Sequence, residues 1–387
     1  MSRAGQLGLN EGTAEPMEWP NDEQGRYAEQ FLRPLLEQSV SAYICNVETS
    51  LHILSVSGHA VPVTVNDTQY DSSYVCSPYT HYVTYAKEEL RLVGLHRLQA
   101  PLSALLNLIG LLFKATRFNR VVQINNWLLS TNLYPDMPAE EWLPAIGLLR
   151  DRFPDHTLIF RSLNRTTHAL LIDELVKQGF RLVPSRQIYM LRPSDEASLT
   201  AKARWLVKRD YGLLGKRGYE RVGPDDLTEA DIPRLAELYR ALYLDKYSAC
   251  NPQLTDRFFA LALSKRLLEF HALRNVKTGR IDAVLGYFSR NGVMTTPVFG
   301  YDTSLPQEVG LYRMLSAVLL DIARNNGCLL HESSGAAQFK RNRGAVAEIE
   351  YSAVYDRHLP VVRRAGWSVL RVVLNKLGVP LMRRFKL

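Results

Sequence analysis

The 387-residue chain predicts an α/β (α+β) fold in two sheet-containing halves. Three observations carry this reading. Strand-like and helix-like segments alternate along most of the chain. The length suits two domains, and an apolar content of 46% suits two sizeable cores. One order of elements also occurs twice: residues 158–162, a helix and residues 188–190 parallel residues 329–333, a helix and residues 351–355.

The elements follow in order. Residues 1–26 read as a disordered lead-in, polar and acidic with no hydrophobic signal region. Residues 27–41 have helical periodicity. Residues 51–56 and 60–65 read as strands. In the second, Val61, Val63 and Val65 alternate, and Pro62, which cannot donate to a ladder, suggests an edge. Residues 74–85 are rich in Tyr and Val, as strands are. Residues 101–117 form an apolar helix, whose apolar run at 102–113 falls short of the ~20 residues a bilayer needs and reads as buried. Strands at 121–124, 157–160 and 187–191 and helices at 139–153 and 167–178 complete a first domain over 27–195.

Residues 196–222 form a basic junction. Lys202, Arg204, Lys208 and Arg209 surround Trp205 on a helix, with Lys216 and Arg217 beyond. Such a helix suits a phosphate or an acidic carrier protein, or is a solvated face. The second domain, 223–356, opens on a helix ending in Asp245, Lys246, Tyr247 and Ser248. After a turn at Asn251-Pro252 comes a helix at 256–266. Paired strands at 285–288 and 295–301 lead into Gln307-Glu308-Val309-Gly310-Leu311-Tyr312 and an amphipathic helix to Asn325. A strand, a Gly-containing turn and a helix start bring unpaired N–H groups and the positive end of the helix dipole to one spot. That spot is an anion site.

This segment resembles the acyl-CoA-binding half of GNAT-type N-acyltransferases, which carry a Gln/Arg-x-x-Gly-x-Gly/Ala turn. Gln307 and Gly310 match it, and Tyr312 stands where Gly or Ala is usual. With the repeated order of elements, residues from about 40 to 356 resemble the tandem folds of FemAB-like and BioF-like transferases. The resemblance implies two tandem GNAT-like mixed-sheet domains with flanking helices, the C-terminal copy active and the other largely structural. It implies acetyl-CoA or acyl-CoA as co-substrate and no metal. Gln307, Gly310, Tyr312, Arg313, Lys340 and Arg343 would hold the cofactor, and Asp245, Lys246, Tyr247 and Ser248 would face the acceptor.

Acyl transfer to an amine needs a base, an oxyanion donor and an acid for the leaving thiolate. Glu332 is the preferred base over the adjacent His331, because alternation sends their side chains to opposite faces. Tyr351 or Tyr355 is the acid. Lys340, Arg341 and Arg343 follow on a helix where they could meet phosphates. The expected function is acyl transfer from a CoA or carrier-protein thioester to a small-molecule or peptide amine. An aminoacyl-tRNA-dependent, FemAB-like transferase is the enzymatic alternative, and a degenerate GNAT-like membrane-surface or partner-binding module the non-enzymatic one.

Cys45, Cys76, Cys250 and Cys328 lie far apart with no metal spacing, which suggests a reducing, cytoplasmic setting. No Gly-x-Ser-x-Gly, Walker, His-Glu-x-x-His or Cys-x-x-Cys motif occurs. Residues 357–387 carry eight Lys or Arg and no acid, so of the net charge of +8 the subtraction 8 − 8 leaves residues 1–356 formally neutral. This tail reads as a basic amphipathic helix at 365–377. It either touches the inner face of a membrane peripherally or packs as a last helix with its cations in water. Nucleic acid is disfavoured, except for tRNA in the alternative reading.

Overall fold

The structure is a computed structural model that describes residues 7–10, 18–92, 96–197 and 199–385. Its strands are β1 Gly8–Asn10, β2 Ser50–Val56, β3 His59–Asn66, β4 Val121–Ile124, β5 Thr157–Leu163, β6 Arg181–Leu191, β7 Tyr219–Val222, β8 Glu269–Asn275, β9 Ile281–Arg290, β10 Val293–Tyr301, β11 Leu329–His331 and β12 Val346–Tyr355. Its helices are α1 Glu23–Gln38, α2 Ala86–Leu92, α3 His96–Ala115, α4 Trp142–Arg152, α5 Arg165–Lys177, α6 Ala201–Tyr211, α7 Leu213–Arg217, α8 Ile232–Arg240, α9 Asp256–Ser264, α10 Leu311–Asn325, α11 Ala337–Asn342, α12 Val361–Val373 and α13 Val379–Phe385. The fold is mixed α/β. It divides into two compact units, one of Met1–Ser185, Cys250–Gln253 and Glu350–Leu381, the other of Arg186–Ala249, Leu254–Ile349 and Met382–Leu387.

In the first unit the strands run β1-β2-β3-β4-β5-β12. All neighbours are antiparallel except β4 and β5, which pair in parallel from Val121↔Thr157 to Ile124↔Phe160. One core gathers Trp142, Phe160, Leu171, Ile172 and Phe180 with the valines of β3. A second gathers Phe113, Phe118, Ile159, Val354, Trp367 and Leu370. Trp367 stacks on Phe118 at 4.1 Å between ring centres. Gly366 lets the helices meet there, since a Cβ would lie 2.7 Å from the Thr116 hydroxyl oxygen. The basic tail is thus docked through one face of α12.

Four expectations change in this unit. Gly8–Asn10 is an edge strand on β2, because an unpaired ladder accepts a third strand whatever its side chains; residues 1–6 and 11–17 lie outside the described residues. Pro62 is on an internal strand. It is tolerated because β4 pairs only with Val63–Asn66, so Pro62 lies beyond the end of that ladder. Residues 74–85 are not a strand. Ser77 accepts from the Thr80 N–H at 3.1 Å and starts a helical turn that continues as a π-helix over Thr80–Tyr85. The α3 helix is not buried all round: Leu108 and Leu111 are 65% and 67% exposed.

In the second unit the order is β6-β11-β10-β9-β8-β7. Again only one pair is parallel, β10 with β11, and it lasts for three positions, Val293↔Leu329 to Thr295↔His331. The core packs Met314, Leu315 and Val318 of α10 against Leu285, Met294 and Leu330 of the sheet. The two units repeat one succession of pairings. In each, the sixth strand comes from the other half of the chain: β12 follows β11 in sequence but pairs with β5, and β6 follows β5 but pairs with β11. The units therefore change inside β6 and β12, at residues 185 and 349, where the sequence suggested boundaries at 195 and 356.

Candidate active site

The site begins where the parallel pair of the second unit ends. Beyond Thr295↔His331, β10 continues along β9 to Tyr301, with a register irregularity between Thr295 and Val298. The segment after β11 instead stays with β6, through Glu332 N–H to the Tyr189 carbonyl at 2.9 Å and Tyr189 N–H to the Ser333 carbonyl at 3.2 Å. The next position on the two diverging paths holds Thr296 and Glu332. Thr296 Oγ1 and Glu332 Oε2 are both buried and have no hydrogen-bond partner among the described residues. Orphaned buried acceptors are costly, so they mark a place built to meet something else.

Burial pushes the Glu332 carboxyl up to about 7, against the opposing pull of the Lys340 and Arg343 charges. Lys340 does not neutralise it directly. Its Nζ donates to the main-chain carbonyls of Glu332 at 2.6 Å and Ser334 at 2.8 Å. That bracing suits a loop in which Ser333, Gly335 and Ala336 all have positive φ. Burial also lowers the Lys340 ammonium below its ordinary range.

Gly310 ends a single turn, Gln307–Val309, at φ +82°, and α10 starts there without a side-chain cap. Gln307 is exposed beside it. The uncapped first turn of α10 directs its N–H groups outward. Tyr312, in that first turn, joins the turn to Glu332. Its ring lies 4.8 Å from Phe339, 5.6 Å from Phe299 and 6.1 Å from Tyr301. Burial holds its hydroxyl far above the usual phenol range, with Glu332, Tyr247 and Tyr243 adding to the effect. Lys246 donates to Tyr301 Oη at 3.1 Å, which ties the π-helical segment Ala241–Tyr247 to the same cluster. Asp245 is exposed, Tyr247 is 42% exposed, and Ser248 is buried with its N–H on the Tyr243 carbonyl.

Glu332, Gly310, Tyr312, Lys246 and Tyr247 therefore meet in one region. Other expected site residues have different occupations. Arg313 and Arg343 grip the two oxygens of Asp210, a fully buried carboxylate on α6, with Arg313 Nε at 2.8 Å and Arg343 Nε at 3.0 Å. They brace α6, α10 and α11 together, and Arg343 also lies over the Phe339 ring. Tyr351 and Tyr355 belong to the first unit, where Tyr355 stacks on His358 at 5.5 Å and packs on Phe180. Sequence reading missed Asp210, Thr296 and the aromatic wall of Phe299, Tyr301 and Phe339. Alternation along β10 puts Phe299 and Tyr301 on one face, which was the available signal for those two. Among the described residues no group of three or more His, Cys, Asp or Glu is placed to hold a metal ion.

No protein-family model matches the chain, and no curated protein matches it by sequence. Solved structures similar to it include FemX, with TM-score 0.45 at 9% identity over 61% of this chain and 85% of that one. A second is L-PGS from Bacillus licheniformis, with TM-score 0.43 at 15% identity over 60% and 77%. A third is a GCN5-related N-acetyltransferase from Kribbella flavida, with TM-score 0.32 at 14% identity over 62% and 84%.

Proposed function

We propose that the second unit is a GNAT-like acyltransferase that moves an acyl group from a thioester, of CoA or a carrier protein, to an amine. The observation that carries this is the buried, unpartnered Oε2 of the Glu332 carboxylate, at the mouth of two diverging parallel strands and in the same region as the uncapped start of α10. A carboxyl that titrates near neutrality can take the proton of an ammonium group at working pH. Backbone N–H groups of β10 past the point where β11 departs, other than Pro297, which has none, would suit the oxyanion of the tetrahedral intermediate. Tyr312, held protonated by burial, is the better placed acid for the leaving thiolate, since it lies beside Glu332 in the same unit. The N–H groups at the start of α10 and Gln307 would receive phosphate oxygens. The repeated succession of pairings supports a tandem arrangement in which the first unit is the partner copy.

A second reading replaces the thioester by an aminoacyl ester of tRNA. It is favoured by α6, which the Asp210 brace fixes beside α10, and which exposes Lys202, Arg204, Lys208 and Arg209 around Trp205, itself 58% exposed. Cations interleaved with an exposed aromatic ring suit single-stranded RNA. Thiol release from acetyl-CoA and longer acyl-CoA over a panel of amines tests the first reading. Turnover by wild type and its loss in Glu332→Gln support it. Transfer from aminoacyl-tRNA alone would move the assignment to the second.

A further inference from the structure

The first unit carries a surface that acyl transfer does not use. The α3 helix turns Pro101, Ala104, Leu108, Leu111 and Ala115 to solvent. These positions follow one another at the spacing of a single helical stripe, and all five are apolar. The α12 helix, packed on α3 through Trp367, Phe113 and Phe118, has the same property. Its buried side is Gly366, Trp367 and Leu370, while Val362, Val369 and Val372 are 69%, 37% and 48% exposed. Leucines and valines standing in water on two packed helices call for a covering partner.

The charge around them indicates its kind. Residues 90–135 contain five Lys or Arg and no acid, and residues 357–387 contain eight and no acid. Lys114 and Arg117 on or just after α3, and Arg371 and Lys376 on or just after α12, are exposed. The carboxylates of Asp67 and Asp155 do approach one end, where both pair with Arg120. Arg363 is held at the same end by the carbonyl of Thr116 at 2.9 Å. The α2 helix, which packs on α3, adds Glu88 and Glu89 near its start, so the cations lie along the remainder of the two apolar stripes. Among the described residues no helix is long and apolar enough to cross a membrane.

We infer that α3 and α12 together form a docking face for the surface of an anionic lipid bilayer. The exposed Leu and Val side chains enter the boundary of headgroups and acyl chains, and the Lys and Arg side chains meet lipid phosphates. The α3 helix lies in the interface rather than across it. The inference stands on the first unit alone and does not depend on the chemistry assigned to Glu332.

Flotation of the full chain with vesicles tests it, using phosphatidylcholine alone and phosphatidylcholine mixed with phosphatidylglycerol. The protein should float with the mixed vesicles and not with the neutral ones, and added salt should weaken the binding. The double variant Leu108→Asp/Leu111→Asp should lower binding at least roughly tenfold, with an unchanged melting temperature because both side chains are already in water. The charge reversal Lys114→Glu/Arg371→Glu should lower it by a similar factor. Glu332→Gln should float like wild type, which separates this inference from the catalytic reading. Equal binding to both vesicle types, or to neither, would overturn it. So would sedimentation showing a dimer that the leucine variant dissociates, or charge-reversal effects confined to RNA binding.

Discussion

Lys340 donates to the main-chain carbonyl of Glu332 at 2.6 Å and leaves the buried Oε2 of that residue's carboxylate without a hydrogen bond among the described residues. The cation lies close enough to shape the field but does not quench the base. A structural salt bridge would do the reverse.

Replacing Glu332 by Gln should lower kcat/KM on the order of 10²- to 10⁴-fold, the usual worth of a positioned base. The same change should stabilise the protein. The carboxyl titrates at about 7 in the folded chain, above its ordinary 4.5. Between those values the folded state binds more protons than the unfolded one, so stability falls as pH rises through the window. Glu332→Gln removes that loss, of order 3 kcal/mol, and melting temperatures should differ by a few degrees at pH 8 and converge near pH 4.5. A variant that melts below wild type at pH 8 would contradict this.

The pH dependence of kcat/KM should rise through about 7 as the base ionises, and Glu332→Gln should abolish that limb. Tyr312→Phe should leave the limb in place while lowering kcat more than it alters KM. If Tyr312→Phe moves the limb and Glu332→Gln does not, the two roles are misassigned.

Asp210, with no side-chain exposure of its own, receives three guanidinium groups, those of Arg209, Arg313 and Arg343. Asp210→Ala should cost about 3–5 kcal/mol in urea unfolding, because it strands the buried Arg343 charge. An Asp210→Ala/Arg343→Met pair should cost less than the sum of its singles.

Trp367→Ala should cost about 3–5 kcal/mol, the range for deleting a buried aromatic side chain, and it should unseat α12. A loss below ~1 kcal/mol would mean that the basic tail is only loosely held.

Where the chain's information is local, the sequence was readable. The Gln307–Gly310 turn with its helix was recognisable from a Gly placed between a strand pattern and an amphipathic helix pattern. Residues 74–85 misled because their Tyr and Val content favours strands, while the segment turns helical and packs Tyr79 on Tyr70 and Tyr82 on Trp367. Ser77-Pro78, a cap followed by Pro at the first helical position, was the signal to weigh more heavily. Asp210 was out of reach, since 103 residues separate it from Arg313 and 133 from Arg343. The exchange of sixth strands was equally hidden, because β6 and β12 have the same pattern whichever strand they pair with. Ser162, near the end of β5, and Ser333, just after the equivalent β11, have φ 59° and 57° and record the duplication in the backbone. The residues before them, Arg161 and Glu332, carry opposite charges, which agrees with placing the base in one copy only.

Calorimetric titration with CoA and acetyl-CoA, of wild type beside Gly310→Trp, tests the central claim most directly. At φ +82°, and with an added Cβ only 3.3 Å from the Leu213 side chain, position 310 tolerates no indole without disturbing the start of α10. The account predicts saturable micromolar binding by wild type and none by the variant, with both chains folded. Absence of binding by wild type, or equal binding by both, would contradict a thioester seated at the start of α10.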